Sequence, residues 1–200
     1  MYRNSHMKAQ GKIILASASP RRKELLKQLG IPVEVVPSDV EEAEEGIDPR
    51  TFPLSMAIRK IEAVRARLGA SFRGWLIGAD TIVALGTEVF GKPRDKSEAH
   101  EMLRRLSNQT HTVYTGYRVE DWAGKGEEGT VVTDVTFCEL SDEEIEAYIS
   151  TGEPMDKAGA YALQGRGGAF IRSISGSHSN VIGLPLFEVV RALRRSGAVR

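Results

Sequence analysis

Ile13-Ile14-Leu15-Ala16 is a short apolar run that gives way to small residues, then to Ser19-Pro20, then to helix-forming residues as far as Leu29, with Gly30 behind them. A serine directly before a proline is the chemistry of a helix start, and a glycine is the usual stop. The stretch predicts strand, tight loop and helix, with Ser19 as N-cap, Pro20 at the first helical position and Gly30 at the C-terminal end. Such a unit suits an α/β domain. The 200 residues, 41% of them hydrophobic, fit one such domain or two small lobes sharing a core, and exclude a disordered chain.

Further along, Val33–Val36 reads as a second short strand. The acidic stretch Asp39–Glu45, with Gly46 and Pro49 close behind, reads as loop. From Pro53 to Leu68, Leu54, Ala57, Ile58, Ile61, Val64 and Leu68 follow the 3.6-residue period of an amphipathic helix. Trp75–Leu85 is a strand, Phe90-Gly91-Lys92-Pro93 a loop and Ser97–Leu106 a helix. Thr110–Val119 and Thr130–Glu139 alternate like an antiparallel pair, across a connection containing Gly124, Gly126 and Gly129. Ser141-Asp142-Glu143-Glu144 is a capping box opening a helix to about Ser150, stopped by Gly152. Seven glycines between Gly152 and Gly183 predict loops around short strands such as Ala169–Ile174. Leu184–Leu193, with Pro185 at its start, is the closing helix. Ser5-His6-Met7 offers a second start, so residues 1–12 are expected to be a tag or disordered start and residues 13–200 one domain.

Charge and composition exclude several functions. Lys+Arg and Asp+Glu both number 27, so no global basic field draws the chain to nucleic acid or anionic membrane, and phosphate recognition must be local. A single cysteine, Cys138, rules out an intrachain disulfide and a cysteine-rich zinc site. His6, His100, His111 and His178 are too scattered for metal-ligand spacing. No apolar run approaches the roughly 20 residues of a membrane span, and no apolar signal segment opens the chain, so a cytoplasmic protein is expected.

Four groups of residues carry candidate chemistry. In Leu15–Arg22 a strand ends in hydroxyl residues and a helix opens with two arginines. A helix N-terminus offers unpaired N–H groups and arginine a forked donor set, which together suit a phosphate. The competing reading is a Ser19 cap with two solvated arginines. In Ile77-Gly78-Ala79-Asp80-Thr81-Ile82-Val83 a carboxylate stands inside an apolar strand, where it needs a cation, a metal or a donor network. The alternative, a strand-end aspartate capping a turn, fits poorly with its central position. Glu42, Lys60 and Lys92 are singly ordinary surface charges. Collectively, two carboxylates and several cations are the parts of metal-assisted phosphoryl chemistry. The fourth group is Gly152–Gly168, whose glycines admit a ligand to the backbone and whose Gln164 offers both donor and acceptor to a base. Its plainer reading is a turn cluster with Asp156 and Lys157 paired; neither the Walker nor the dinucleotide pattern is present.

Taken in order, Leu15–Arg22, Val36–Asp39 with Glu41-Glu42, Ala57–Lys60, Gly78–Val83, Gly91–Pro93, Gly152–Gly168 and Ser179–Pro185 closely resemble the Maf family of nucleotide pyrophosphatases, from Ile13 to about Leu193. The resemblance implies an α/β fold with a twisted mixed sheet, flanking helices and two lobes around a cleft, similar to the inosine triphosphate pyrophosphatase fold. It also implies hydrolysis of a nucleoside triphosphate to monophosphate and pyrophosphate with a divalent metal, Mg²⁺ or Mn²⁺. Asp80 matches the family's catalytic acidic residue, assigned as proton acceptor. Ser17, Arg22, Lys60 and Lys92 match phosphate-handling positions, Glu42 with Asp80 the metal positions, and Arg21, Thr81 and Gln164 the positions marking the branch that acts on dTTP and UTP. Gln164 and the Thr81 hydroxyl are expected to meet the base edge. The expected partner is a nucleoside triphosphate, without nucleic acid or membrane, and a homodimer is the assembly the resemblance leaves open. The implied role is nucleotide-pool sanitation with a link to cell division arrest. The alternatives are a non-catalytic nucleotide-binding regulator of septum formation and the 7-methyl-GTP branch of the family.

Overall fold

The computed structural model describes residues 7–40 and 48–200. The predicted opening unit forms as β1 (Ile13–Leu15) and α1 (Pro20–Gln28), followed by β2 (Glu34–Val35). The amphipathic pattern becomes α2 (Phe52–Leu68), and β3 (Trp75–Leu85) turns through Gly86 into β4 (Glu88–Phe90). Then come α3 (Lys96–Leu106), β5 (Thr110–Asp121), β6 (Gly126–Phe137) and α4 (Asp142–Ser150), which carries the predicted capping box. Three short 3₁₀ turns occupy the glycine-rich stretch before β7 (Ile171–Ser175), α5 (His178–Ile182) and α6 (Leu186–Arg195).

The strands make one seven-stranded mixed sheet in the order β2-β1-β3-β5-β6-β7, with β4 paired to β3. β1 runs parallel to both neighbours; every other pairing is antiparallel. Strand alternation divides the core. Ile13, Leu15, Ile77 and Ala79 face α1 and α6, meeting Leu25, Leu26, Val189 and Leu193. Ile14, Ala16 and Leu76 face the other way, toward Ile61 and Val64 of α2. A separate cluster gathers the far ends of β3, β5 and β6 with α3 and α4, through Val83, Leu103, Val113, Phe137 and Ile145. The first two clusters pack on opposite faces of the sheet, and the third lies at its far end. No helix among the described residues is long and apolar enough to cross a membrane.

Several expectations are corrected. Ser19 precedes α1, but its side chain makes no capping bond; Ser17 Oγ accepts from the Ser19 N–H at 3.2 Å instead, turning the loop one step earlier. Gly126 and Gly129 belong to β6 rather than to the connection, because the hairpin turns tightly at Asp121–Lys125, where the Asp121 carboxylate accepts from Ala123 N and Lys125 N. α5 stands where loop is predicted, and the closing helix starts at Leu186, whose N–H donates to Ser179 Oγ at 3.0 Å. Beside these corrections, Lys8–Gln10 pair with the last residues of the chain: Lys8 N donates to Arg200 O at 3.1 Å and Gln10 N to Ala198 O at 2.8 Å.

Candidate active site

The cleft has its origin in the pairing of β3. β1 accompanies β3 only along Trp75–Ile77, and β4 rejoins the same edge at Val83–Leu85. Between them, Gly78–Ile82 has no strand beside it on that edge among the described residues. Successive strand side chains point to opposite faces, so Asp80 and Thr81 would be divided by a continuous sheet. At this gap both open into one cleft of about 420 Å³, which Ser17, Arg21, Arg22, Lys60, Lys92 and Gln164 also line. Every site residue predicted from the sequence and described in the structure is therefore at the cleft. Glu42 lies outside the described residues.

Asp80 is 4% exposed and Lys60 7%. They form an ion pair, Lys60 Nζ to Asp80 Oδ1 at 2.5 Å, which supplies the cation that a buried carboxylate requires. Two glycines make the pair possible by letting α2 lie against the sheet backbone to backbone. A Cβ at Gly78 would stand 2.3 Å from Ala57 O, and one at Gly116, directly opposite Asp80 in register, 2.1 Å from Leu54 N. Lys60 follows Ala57 by three residues, so it sits on the same helix face one turn on.

On the other face Arg22, 8% exposed, is held from three sides. Its Nε donates to Gly183 O at 2.7 Å, Nη1 to Ser17 Oγ at 2.9 Å and Nη2 to Thr81 Oγ1 at 3.1 Å. The reading of α1 as starting with two solvated arginines therefore fails for Arg22. Arg21 is more open and reaches Asp156 Oδ2 at 3.4 Å across the rim. Asp156 also pairs with Lys157, as the plainer reading of the glycine-rich stretch expects. Burial raises the affinity of the Asp156 carboxyl for its proton, but Lys157 and Arg21 outweigh it and hold the group below the ordinary carboxylate range.

Lys92 is exposed on the loop after β4, which is tied to the glycine-rich segment by Gly159 N donating to Gly91 O at 3.0 Å. Gln164 is exposed at the crest of an anchored arch. On one side Ala162 N donates to Tyr148 Oη at 3.1 Å; on the other, Arg166 N and Gly167 N donate to the two carboxylate oxygens of Glu153 at 3.1 and 3.2 Å. Tyr148 Oη in turn donates to Glu153 Oε1 at 2.8 Å. Burial works to raise Glu153, but the bonds from Gly167, Tyr148 and Arg166 prevail and keep it in the anionic form. Glu153 and Tyr148 are thus positioning residues that sequence reasoning missed. Nothing in the sequence marks them, because each acts through main-chain groups.

Asn180 lies in the matched Ser179–Pro185 stretch, where sequence reasoning assigns it no role of its own. Asn180, fully buried, donates from Nδ2 to Val113 O at 3.1 Å and to Thr133 Oγ1 at 3.0 Å, fixing α5 to β5 and β6. Of the three acids described along the cleft, Asp39, Asp80 and Asp156, only Asp80 is buried; the side chains of the other two are 76% and 65% exposed. Among the described residues no three His, Cys, Asp or Glu side chains gather as a metal site. The cleft combines one buried carboxylate with cations on both sides of the sheet gap, and Val83, Val113 and Tyr161 form an apolar wall.

A family model described as Maf-like protein matches residues 12–196. A dTTP/UTP pyrophosphatase of Geotalea uraniireducens is 50% identical over 199 residues, covering 96% of this chain and 99% of that one. Proteins of the same name from Geobacter sulfurreducens and Thermococcus onnurineus are 49% and 50% identical, covering 95% and 92% of this chain and 99% and 97% of theirs. A solved structure of a nucleoside-triphosphatase / dITP/XTP pyrophosphatase from Mycobacterium abscessus is 17% identical with a TM-score of 0.38, over 65% of this chain and 76% of that one.

Proposed function

The chain belongs to the Maf-like protein family, and from that premise we propose that it is a nucleoside triphosphate pyrophosphatase, converting dTTP and UTP to the monophosphate and pyrophosphate with the help of a divalent cation. The observation that carries the proposal is the buried Asp80–Lys60 pair at the gap in the sheet, opening into the same cleft as Arg22 and Lys92. The relatives that bear the name dTTP/UTP pyrophosphatase match nearly the whole chain, which supports the substrate class.

In this proposal the triphosphate lies across the gap, with its phosphates toward Ser17, Arg22, Lys60 and Lys92 and its base against the apolar wall near Gln164. Asp80 is the catalytic residue: it orients a water and takes its proton as the oxygen attacks the α-phosphorus. The new bond forms at that phosphorus while the α–β bridging bond breaks, and pyrophosphate departs with the electron pair toward the cations. A divalent ion fits the donor set, since Mg²⁺ is commonly held by one or two carboxylates with substrate phosphates completing its shell. Asp80 and Glu42 are the proposed holders, and the bound ion supplies neutralisation of phosphate charge. Gln164 reads the pyrimidine edge from its anchored arch, Arg21 guards the rim, and Thr81 acts beside Arg22. The substrate is free nucleotide rather than nucleic acid or membrane, which the zero formal charge supports. We extend the proposal to nucleotide-pool sanitation in the cytoplasm, with a link to cell division arrest.

The test is a nucleotide panel with Mg²⁺ or Mn²⁺ and chromatographic identification of products. dTMP or UMP with pyrophosphate is the expected result. Diphosphate with orthophosphate makes the protein a phosphatase, binding without turnover makes it a regulator, and preference for 7-methyl-GTP moves it to another branch.

A further inference from the structure

We infer that Thr115, fully buried and outside the lining of the cleft, is a positioning residue for substrate phosphate, acting through a one-way hydrogen-bond chain that ends on Arg22. The inference rests on the proposed triphosphate site and adds a residue to it. A threonine hydroxyl has one proton and two lone pairs. Thr115 Oγ1 donates its proton to the Asn180 carbonyl at 3.1 Å. The contact between Thr115 Oγ1 and Thr81 Oγ1, 2.9 Å long, must then be filled by the Thr81 proton. Thr81 has no second proton, so toward Arg22 it presents a lone pair, which accepts from Nη2 at 3.1 Å. Among the described residues Gly183 O is the other acceptor near Thr81, but at 3.5 Å, and Arg22 Nε already donates to it at 2.7 Å. Directing the Thr81 proton there would leave two hydroxyl oxygens facing each other at 2.9 Å with no proton between them.

The chain therefore runs Arg22 to Thr81 to Thr115 to Asn180, each hydroxyl polarising the next. Its two threonines face each other across β3 and β5, and its far end is held by the Asn180 side chain. Arg22 is thereby tied twice to the same turn, directly at Gly183 and through two hydroxyls at Asn180. One consequence concerns selectivity. The Thr81 proton is committed to Thr115, so Thr81 has no donor for a base, and its part in substrate choice is exerted through the set of the Arg22 guanidinium.

Thr115→Val keeps the branched shape and removes the hydroxyl, whereas Thr115→Ser restores it. Binding of inorganic tripolyphosphate with Mg²⁺, measured by calorimetry, reads the phosphate site without requiring turnover. The valine variant is expected to bind about fivefold to tenfold more weakly, a loss typical of one hydrogen bond between neutral groups, with KM for dTTP rising in parallel and kcat changing less. The serine variant should match the parent. In an Arg22→Lys background, which lacks Nη2, Thr115→Val should add less than twofold. Parent-like binding by Thr115→Val, equal loss in Thr115→Ser, or an undiminished loss in the Arg22→Lys background overturns the inference. A parent protein that binds tripolyphosphate in this Thr115-dependent way yet releases no pyrophosphate from any nucleotide overturns the hydrolase proposal instead.

Discussion

His111 gives the protein a built-in sensitivity to acid that can be worked out from its surroundings. The ring is 1% exposed, stands edge-on to Phe137 at 4.9 Å and to Tyr161 at 5.3 Å between centroids, and shares one hydrogen bond, Nε2 to Tyr161 Oη at 2.9 Å. Nδ1 has no partner among the described residues, so an imidazolium would bury a charged donor unanswered. Burial accordingly pushes His111 down from 6.5 to about 4, with the Asp134 carboxylate acting weakly the other way. Between those two values the unfolded chain holds a proton that the native ring refuses, so stability must fall as pH falls. Each unit is worth about 1.4 kcal/mol, so the window from 6.5 to about 4 contributes a loss of about 3 kcal/mol, complete at its acid end and absent above neutrality. Urea denaturation from pH 7.5 to 4.5 of the parent and of His111→Phe isolates this effect. The phenylalanine orphans the Tyr161 hydroxyl at every pH, which shifts the whole curve by a constant. The slope is the observable: the parent should lose stability more steeply than the variant by close to 1.4 kcal/mol per pH unit near pH 5. Parallel curves would refute the reasoning.

Four further outcomes are expected. Asp80→Asn should lower kcat by roughly 10²–10⁴ because it removes the proton acceptor, and it should lower Tm as well because it removes the carboxylate charge beside the buried Lys60 ammonium; near-parent turnover of the folded variant removes Asp80 from the chemistry. Glu42→Gln should raise the Mg²⁺ concentration needed for half-maximal rate, as read from a metal titration, and full parent activity after exhaustive chelation contradicts the metal proposal. Gly78→Ala sets a methyl group 2.3 Å from Ala57 O, so it should cost about 1–3 kcal/mol in denaturation and reduce turnover by displacing Lys60. For the parent, kcat/KM for dTTP and UTP should exceed that for dATP, dGTP and 7-methyl-GTP, and substituting Arg21 and Thr81 together should narrow the gap in a competition assay.

Much of this site was legible in the sequence because its chemistry breaks local rules. An aspartate inside Ile77–Val83 violates the apolar pattern of a strand, and two arginines at the start of α1 oppose the helix dipole; both anomalies resolve at the cleft, Asp80 on Lys60 and Arg22 on three acceptors. What stayed hidden obeys local rules. Thr115 is an ordinary strand threonine, and its role depends on Asn180, 65 residues away. Glu153 looks like a surface acid until the main chain at 166 and 167 folds onto it. The same holds for the fold. α2 announced itself through periodicity, whereas the five residues of α5 are too few to show a period and are fixed by the contacts of Asn180 with two strands.

The approach of α2 to the sheet through Gly78 and Gly116 turns the polypeptide backbone into a fulcrum. Side-chain contacts give way by fractions of an ångström as rotamers change, but peptide groups in contact have no such compliance. Both contact points lie in the first half of α2, at Pro53-Leu54 and Ala57, with Lys60 one turn beyond them and Val64–Leu68 further out. Loosened packing at Val64 or Leu68 therefore tilts the helix about a pivot close to Lys60, so the outer end sweeps a wide arc while the ammonium beside Asp80 hardly moves. Repacking the outer half of α2 should alter thermal stability well before it alters the catalytic spacing.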